Sequence, residues 1–316
     1  MTVPPAAGVR VAFQAIPAPV RSAVEQVCGS RVVEARTQPG GFSPGVAARV
    51  RCADGSRHFV KAVSAEVNRR SIEIYRQERD VLTALEPVIL ARDLPIPRLR
   101  GSVDLDPWVA LILDDVDGQH PAEPWKPGEL GRVTAALDRL AVALTPAPVA
   151  VPAVGEKYAR AFTGWRRLAQ SRQQEGLDPW TRARLDDLAA LESTWEARTV
   201  GDTLLHTDVR ADNILLTGDG VVIVDWPHAC RGAAFVDHVL FAPSVALQGG
   251  PELMDLLALS AAGRSADPQQ VAATVCALGG YFTYQSLRPA PPGLPTVRAF
   301  QAAQGEVTRR WLAQLL

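Results

Sequence analysis

The strongest constraint in this sequence is a pair of short apolar runs, residues 214–216 and 221–224, joined by Thr-Gly-Asp-Gly. Glycine and aspartate between two strand-like runs predict a β-hairpin. Asn213 lies just before the first run and Asp225 just after the second, so both side chains leave the open end of the hairpin. Asp208 lies on the loop that leads into it. Oxygen donors grouped in this way suit an oxygen-seeking cation.

The hairpin belongs to a longer pattern in which His206, Asp208 and Asn213 precede it and Asp225-Trp226 follows it. This order and spacing resemble the catalytic segment of the aminoglycoside phosphotransferase-like kinases, relatives of the protein kinases that phosphorylate small molecules. Trp226 takes the place of the phenylalanine in the protein-kinase Asp-Phe-Gly motif, and Asp-Trp is typical of the small-molecule branch. Each element alone is a weak signal, but the ordered combination favours a kinase.

The resemblance implies a role for each polar residue of the segment. Asp208 would orient the acceptor hydroxyl and receive its proton, and Asn213 and Asp225 would bind Mg²⁺. His206 is interpreted as structural. Arg210 has two interpretations that the sequence leaves open, namely stabilisation of the transferred phosphoryl group and a surface salt bridge.

Two further features near the segment favour structural roles. Asp237 resembles a family position that braces the catalytic segment, with a helix N-cap as the alternative. His228 and His238 lack ligand-like spacing with Cys230, which argues against a metal centre there. The cysteines form no Cys-x-x-Cys pair, so the sequence predicts neither a zinc site nor a disulfide framework.

The N-terminal part of the chain predicts a small sheet, with strands at residues 31–36, 46–52, 57–63, 98–103 and 108–113. A glycine-rich turn that includes Gly40, Gly41 and Ser43 joins the first two strands. Such a turn allows backbone N–H groups to approach phosphate oxygens. The alternative is a plain hairpin loop, and which amides contact phosphate stays open.

Lys61 lies among apolar residues on the third predicted strand and resembles the kinase lysine that holds the α- and β-phosphates. Such a lysine needs a carboxylate partner, and the predicted helix at 65–85 offers Glu73 and Glu78. Glu78 shares the apolar stripe of that helix, whereas Glu73 lies on its polar face. A carboxylate on a buried stripe needs a partner, so Glu78 is predicted to pair with Lys61.

An acidic segment, residues 114–118, follows the last predicted strand of the N-terminal part. By resemblance this is the hinge between two lobes, where backbone groups of Leu113, Asp115 and Val116 would bind the adenine. An acidic turn that caps a strand is the alternative. The predicted lobes are residues 1–117, for nucleotide binding, and 118–316, for catalysis and substrate binding.

The C-terminal part predicts helices at residues 130–144, 157–169, 180–195, 233–245, 251–262, 268–286 and 295–315. The predicted fold is therefore α+β and bilobal, like that of protein kinases. It has a small antiparallel sheet with one main helix in the N-lobe and a mostly helical C-lobe.

Composition and charge limit the classes of partner that the chain is expected to bind. The 316 residues carry a formal charge of −1, and no basic block is interleaved with aromatic residues, so nucleic acid is not expected as a partner. Neither a membrane span nor a signal peptide is predicted, which favours a cytoplasmic protein. Residues 241–316 contain nearly equal numbers of acidic and basic residues: Glu252, Asp255, Asp267 and Glu306 against Arg264, Arg288, Arg298, Arg309 and Arg310. This balance is not typical of a site for a polycation, but it does not exclude an aminoglycoside. The alternative is that Asp186, Asp187, Glu192 and Glu196 contribute to the acceptor site, although a solvated helix face is favoured for them.

The sequence thus predicts an enzyme that transfers the γ-phosphoryl group of ATP or GTP to a hydroxyl of a small molecule, with Mg²⁺ as cofactor. The acceptor could be an antibiotic such as an aminoglycoside, a nucleoside or another metabolite. A catalytically silent kinase-like binding protein is the main alternative, and a metal-dependent hydrolase that uses His206 and Asp208 is a further one. The sequence leaves the oligomeric state open.

Overall fold

The computed structural model describes residues 10–41, 44–171, 175–291 and 294–316. Its N-terminal part is built on a five-stranded antiparallel sheet with the order β1-β2-β3-β5-β4. The strands are β1 (Val32–Thr37), β2 (Val46–Cys52), β3 (Arg57–Ser64), β4 (Leu99–Leu105) and β5 (Trp108–Asp114). All five correspond to strands predicted from the sequence.

Turn chemistry sets the register of the two central strands. Gly55 adopts a φ of 89°, and the Asp54 carboxylate accepts the Ser56 N–H at 3.0 Å. The resulting hairpin pairs Val50 with His58 and Ala47 with Lys61. Because side chains alternate along a strand, this register directs Lys61 away from the face that carries His58.

Helices cover the sheet. The helices of the N-terminal part are α1 (Ala18–Cys28) and α2 (Arg69–Arg92). One apolar cluster joins α1 to β2, β3 and β5, and a second joins α2 and the other face of β3 and β5 to the C-terminal helices. Burial of apolar side chains between these layers is the main source of stability.

The main N-terminal helix differs in its bounds from the prediction of 65–85. It begins at Arg69 because the Asn68 side chain accepts the Ser71 N–H at 3.2 Å and caps the helix there. It continues past Pro87 and ends at Arg92, where Asp93 adopts a left-handed conformation. The apolar periodicity therefore identified the helix but misplaced both ends.

The C-terminal part is mostly helical. Its helices are α3 (Pro127–Ala143), α4 (Val154–Tyr158), α5 (Gly164–Ser171), α6 (Pro179–Ala183), α7 (Leu185–Glu192), α8 (Trp195–Arg198), α9 (Val236–Leu247), α10 (Leu253–Ala258), α11 (Ala261–Arg264), α12 (Pro268–Ser286) and α13 (Val297–Leu315). Three predictions of a continuous helix, at residues 157–169, 180–195 and 251–262, are wrong. The structure divides each of these ranges into separate helices.

Local geometry explains these divisions. Arg184, at φ −109° and ψ 11°, separates α6 from α7. The Ser260 side chain accepts the Gly263 N–H at 3.0 Å and starts α11 as a new helix. Apolar periodicity runs through such breaks and therefore does not reveal them.

Two small strand pairs complete the fold. The predicted hairpin is present as β7 (Ile214–Leu216) and β8 (Val221–Ile223), with Ile214 opposite Ile223. A second pair, β6 (Thr203–Leu205) with β9 (Cys230–Gly232), was not predicted. The sheet with its helical C-terminal part confirms the α+β prediction, and the lobe boundary at 117/118 stays a prediction. Among the described residues, every helix is too short or too polar to span a bilayer.

Candidate active site

The β7–β8 hairpin is held rigidly in the C-terminal part. The Val224 N–H donates to the Asn213 carbonyl at 2.9 Å, which extends the ladder by one residue beyond the strands. At the turn, the Arg132 guanidinium of α3 donates to the carbonyls of Thr217 and Gly220, each at 2.7 Å. Asn213 is therefore fixed directly beside the backbone that carries Asp225.

Buried groups also fix the loop before the hairpin. The Asp237 carboxylate accepts the N–H groups of His206 and Thr207 at 2.9 and 2.7 Å. His206 accepts the Asp208 N–H at Nδ1 (3.1 Å), and its Nε2 donates to the Val224 carbonyl at 3.0 Å. The structural interpretation of His206 is confirmed. Asp237 braces the loop, and its N-cap alternative is wrong because the cap of α9 is Phe235.

Thr207 and Asp225 adopt left-handed backbone conformations with φ of 63° and 71°. Such conformations cost about 1–3 kcal/mol each for residues other than glycine and persist only where neighbours enforce them. The Thr207 hydroxyl donates to the His228 carbonyl at 2.9 Å and contacts the Tyr158 hydroxyl at 2.7 Å. These contacts therefore hold Thr207 in its left-handed conformation.

Asp208 lies at the centre of a polar group. Arg210 donates to its carboxylate at 2.6 Å and to that of Asp212 through two nitrogens, each at 2.9 Å. The Asn213 amide donates to the Asp208 carbonyl at 2.8 Å and to its carboxylate at 3.3 Å. Asp208 and Asn213, predicted from spacing alone, are therefore in direct contact.

Arg210 is largely enclosed. Its side chain is 16% exposed, and its guanidinium lies 5.9 Å from the Phe300 ring. Burial acts to lower its pKa, but the carboxylates of Asp208 and Asp212 outweigh burial and raise it. The predicted salt bridge of Arg210 is present, but it is enclosed rather than at the surface. The role in stabilising the phosphoryl group stays a prediction.

Lys61 joins the N-terminal sheet to the hairpin. Its ammonium donates to Glu78 at 2.5 Å and to Asp225 at 2.6 Å, and it lies 5.2 Å from the centre of the Tyr75 ring. The predicted Lys61–Glu78 pair is present, and Glu73 is exposed. Periodicity on α2 therefore selected the right carboxylate.

Burial and charge act against each other around Lys61. Burial opposes ionisation of Asp225, but Lys61 outweighs it and lowers the pKa of Asp225 to about 2. Burial would likewise lower the pKa of Lys61, and the facing carboxylates raise it instead. For Glu78 burial dominates and raises the pKa, although Lys61 acts in the opposite direction. Asp225 and Lys61 are therefore both ionised at neutral pH.

The donor set suits a hard cation. The Asn213 amide nitrogen donates to Asp208, so its amide oxygen is the atom left to accept or to coordinate. The Asp225 side chain is 35% exposed and carries a negative charge. Carboxylate and amide oxygens are the ligands that Mg²⁺ and Ca²⁺ prefer, so Asn213 and Asp225 fit a divalent ion of this class.

The glycine-rich turn lies against an arginine. Gly40, Gly41 and Gly45 have φ of 90°, 75° and 114°. A Cβ on Gly45 would lie 2.4 Å from the Ala62 carbonyl, so only glycine fits where the turn meets β3. The Arg10 guanidinium donates to the Gly40 carbonyl. Ser43, predicted at this turn, lies outside the described residues.

The predicted hinge follows β5. Leu113 lies within the sheet, opposite Phe59 on one side and Leu99 on the other. The carboxylate of Asp115 is 3% exposed and pairs with Arg49 at 2.5 Å and Arg57 at 2.8 Å. These ion pairs fasten the segment after β5 to β2 and β3.

Comparison with known proteins decides the family. A family model described as the phosphotransferase enzyme family (APH) matches residues 39–290. The chain belongs to this phosphotransferase family. It is therefore a small-molecule kinase, and the family recognised from the catalytic segment is confirmed.

Solved structures agree with the phosphotransferase fold. An aminoglycoside phosphotransferase from Alicyclobacillus acidocaldarius has a TM-score of 0.56 at 15% identity, with coverage of 90% of this chain and 91% of that one. The choline kinase LicA from Streptococcus pneumoniae has a TM-score of 0.61 at 10% sequence identity, and the match covers 94% of this chain and 98% of that one. Amicoumacin kinase hAmiN, in complex with AMP-PNP, Ca²⁺ and Ami, has a TM-score of 0.61 at 10% sequence identity, and the match covers 93% of this chain and 96% of that one. A search of the curated proteins finds none that matches.

Three residues near the candidate site of this phosphotransferase were not predicted from the sequence. Tyr75 lies on the same stripe of α2 as Glu78, so helical periodicity could have found it. Asp212 joins the Arg210 ion pair. No sequence motif marks Arg10. It reaches the glycine-rich turn because its backbone pairs with that of Gly45.

Tyr281 of α12 lies in the electrostatic field of the candidate site. Burial and the charge of Asp208 raise the pKa of Tyr281, while Arg70 and Arg298 act to lower it. Arg298 donates to the Gln301 side chain at 2.7 Å. Tyr281 of α12 is therefore influenced by the charge of Asp208 on one side and by that of Arg298, from α13, on the other.

Proposed function

We propose that this phosphotransferase transfers the γ-phosphoryl group of ATP or GTP to a hydroxyl of a small molecule, with Asp208 as the general base. The observation that carries the proposal is the continuous set of contacts across the site. Lys61 bonds Asp225 at 2.6 Å, Asn213 accepts from the residue before Asp225, and Asn213 in turn bonds Asp208. Phosphoryl transfer depends on such positioning and on charge neutralisation more than on covalent catalysis by the protein.

Each residue has a defined part in the reaction. Asp208 orients the acceptor hydroxyl and receives its proton as the new O–P bond forms. The bond between the γ-phosphorus and its bridging oxygen breaks, and the nucleoside diphosphate leaves. Arg210 holds the Asp208 carboxylate at 2.6 Å, so its first role is to orient the base. Its charge also lies close enough to the acceptor to stabilise the transferred phosphoryl group.

Asn213 and Asp225 would hold Mg²⁺, which would supply charge neutralisation for the transferred phosphoryl group. The AMP-PNP and Ca²⁺ in the hAmiN complex support a nucleotide and a divalent ion in a protein of this fold. Lys61 binds the α- and β-phosphates and is held in place by Glu78. Its ion pair with Asp225 brings the cation site next to the phosphate site.

The nucleotide lies between the glycine-rich turn and the hinge. Backbone groups of Gly40 and Gly41 approach the phosphates, with the Arg10 guanidinium beside them. Adenine or guanine binds the chain after β5, at Asp115 and Val116. Leu113 lies inside the paired sheet, so we assign it to the wall of the base pocket.

The acceptor is a neutral or anionic hydroxyl compound rather than a polycation. The charges of Asp208 and Arg298 both act on Tyr281, and the Phe300 ring lies 5.9 Å from the Arg210 guanidinium. We assign these side chains to the acceptor pocket, where they would repel or fail to neutralise several positive charges. An aromatic surface favours the apolar face of a sugar, nucleoside or other ring. This arrangement agrees with the balanced charge of the C-terminal sequence.

The test is phosphorylation with Mg²⁺ and ATP or GTP across aminoglycosides, nucleosides, sugars and amino alcohols, read by mass spectrometry. Asp208→Asn is assayed in parallel, and Asp219→Asn, an exposed aspartate in the hairpin turn, is the matched control. We expect Asp208→Asn to lower kcat by about 10²–10⁴-fold without a change in nucleotide affinity, and Asp219→Asn to behave as wild type.

Three outcomes would contradict parts of the proposal. Full activity of Asp208→Asn would exclude it as the base. Nucleotide binding without product from any acceptor class would favour the silent binding protein. An aminoglycoside as the most efficient acceptor would exclude the assignment of a neutral or anionic substrate.

A further inference from the structure

The fold brings two cysteines and a histidine together on the side of the sheet away from Lys61. Cys28 is the last residue of α1, Cys52 is the last residue of β2, and His58 lies near the start of β3. One potential ligand atom from each lies within 4.8 Å of the other two. Sequence spacing predicted no zinc site, because these residues are far apart along the chain.

His58 gives independent evidence for a ligand. Both of its ring nitrogens are shielded from solvent, and neither has a hydrogen-bond partner among the described residues. Buried polar atoms are nearly always paired, so an orphaned imidazole beside two thiols requires an explanation. A metal ion bound to one nitrogen would supply the missing partner.

The surroundings favour a cation. Cys28 ends α1, where the helix macrodipole is negative. Two carboxylates lie nearby in the sequence: Glu25 three residues before Cys28 on α1, and Asp54 two residues after Cys52. These negative charges attract a divalent ion.

We propose that Cys28, Cys52 and His58 bind one Zn²⁺ ion that fastens α1 to the β2–β3 hairpin. Two thiolates and an imidazole are typical zinc ligands, and they leave the fourth tetrahedral position to water. Such ligands lie about 3.3–3.8 Å apart around a common ion, so small side-chain movements complete the site. Binding releases the two thiol protons to solvent, and the bound ion carries two thiolates and a neutral imidazole.

The zinc site is separate from phosphoryl transfer. His58 and Lys61 lie on opposite faces of β3, because side chains alternate along a strand. Two sulfur ligands disfavour Mg²⁺, which prefers oxygen, so the site does not compete for the cation at Asn213 and Asp225.

The experiment uses the full chain, purified under reducing conditions, stripped with a chelator and dialysed against buffered micromolar Zn²⁺. Metal content is measured by mass spectrometry, and thermal unfolding is followed with and without Zn²⁺. Cys52→Ser and His58→Gln each remove one ligand. Cys276→Ser, a buried cysteine of α12, is the matched control. Co²⁺ is used as a spectroscopic probe for thiolate ligands.

We expect one Zn²⁺ per chain in the wild type and in Cys276→Ser, with a rise of several degrees in Tm on loading. Cys52→Ser and His58→Gln should each lose at least nine-tenths of the bound metal and the Zn²⁺-dependent rise in Tm. Co²⁺ should give thiolate-to-metal charge-transfer absorption in the wild type. If Cys52→Ser fails to fold, His58→Gln provides the same test.

The proposal is overturned by a wild-type chain that binds no Zn²⁺ at micromolar concentration. Equal Zn²⁺ binding in wild type and both ligand variants would also overturn it, since the metal would then lie elsewhere. A Cys28–Cys52 disulfide found by mass spectrometry in the reductively purified chain would replace it with a redox pair.

Discussion

At the scale of single residues, Lys61 shows how charge is kept inside a folded protein. A buried ammonium loses hydration and is stable only if paired charges compensate. Glu78 and Asp225 supply that compensation from a helix of the N-terminal part and from the hairpin of the C-terminal part. The pair with Glu78 is structural, whereas that with Asp225 joins the two sides of the cleft.

Replacement of Glu78 by glutamine should weaken both stability and nucleotide binding. Lys61 would keep only Asp225, so we expect the free energy of unfolding to fall by about 3 kcal/mol and the KM for nucleotide to rise about tenfold. Urea unfolding and steady-state kinetics measure the two effects. The matched control is Glu73→Gln on the exposed face of α2, for which we expect a change within about 0.5 kcal/mol. Equal effects of the two substitutions would contradict the assignment of Glu78.

Arg10 should contribute to nucleotide binding. It donates to the Gly40 carbonyl, and the charges of Asp225 and Asp212 act on its guanidinium. A charge-assisted contact contributes about 1.5–3 kcal/mol, so we expect Arg10→Ala to raise the nucleotide KM about 10–100-fold. The acceptor KM should not change. Arg36→Ala, on exposed β1, is the control, and an unchanged nucleotide KM in Arg10→Ala would remove Arg10 from the site.

At the scale of elements, the C-terminal helices depend on close backbone contacts. A Cβ on Gly164, at the start of α5, would lie 1.8 Å from the Gly280 carbonyl of α12. The Trp165 indole donates to the Cys276 carbonyl at 2.8 Å, which holds the same two helices together. Glycine is required here for helix packing, and the hydrogen bond fixes the approach.

Gly164→Ala should therefore destabilise the protein even though alanine is the better helix former. The methyl group would force α5 and α12 apart, which costs about 1–3 kcal/mol or more. Gly131→Ala in α3 meets no atom within 4 Å and should instead stabilise by about 0.5–1 kcal/mol. Paired thermal or urea unfolding distinguishes the two directions. A stabilising Gly164→Ala would show that the helices can separate without penalty.

At the scale of the whole molecule, stability depends on keeping titratable groups in one charge state. Burial lowers the pKa of His228 and of His238, so both are neutral in the folded protein near neutral pH. Asp225, with its pKa lowered to about 2, stabilises the fold above about pH 4 and loses this effect only in strong acid. The histidines and Asp225 therefore act in different pH ranges.

The protein should lose stability as the pH falls from 7 to 5. The unfolded chain takes up protons at His228 and His238 near pH 6.5, before the folded protein does, so protonation of these two residues favours unfolding. Each buried histidine contributes at most about 1.4 kcal/mol per pH unit in this range. Urea unfolding at several pH values measures the slope, and His238→Gln should reduce it by up to half. A free energy of unfolding that is constant from pH 7 to 5 would disprove this expectation.

Much of the fold and the family were accessible from the sequence because they depend on local patterns. Turn residues and strand alternation define the sheet and the β7–β8 hairpin. Helical periodicity distinguishes Glu78 from Glu73, and the spacing from His206 to Asp225 carries the family. These signals depend on neighbours within a few positions along the chain, which a sequence displays directly.

Only the tertiary structure decided how distant segments meet. It divided three predicted helices, enclosed Arg210, and brought Arg10 to the glycine-rich turn. It also gathered Cys28, Cys52 and His58 around one point, where spacing predicted no metal site. The physical reason is that contacts between distant segments are set by the packing of whole layers, which no local pattern of residues encodes.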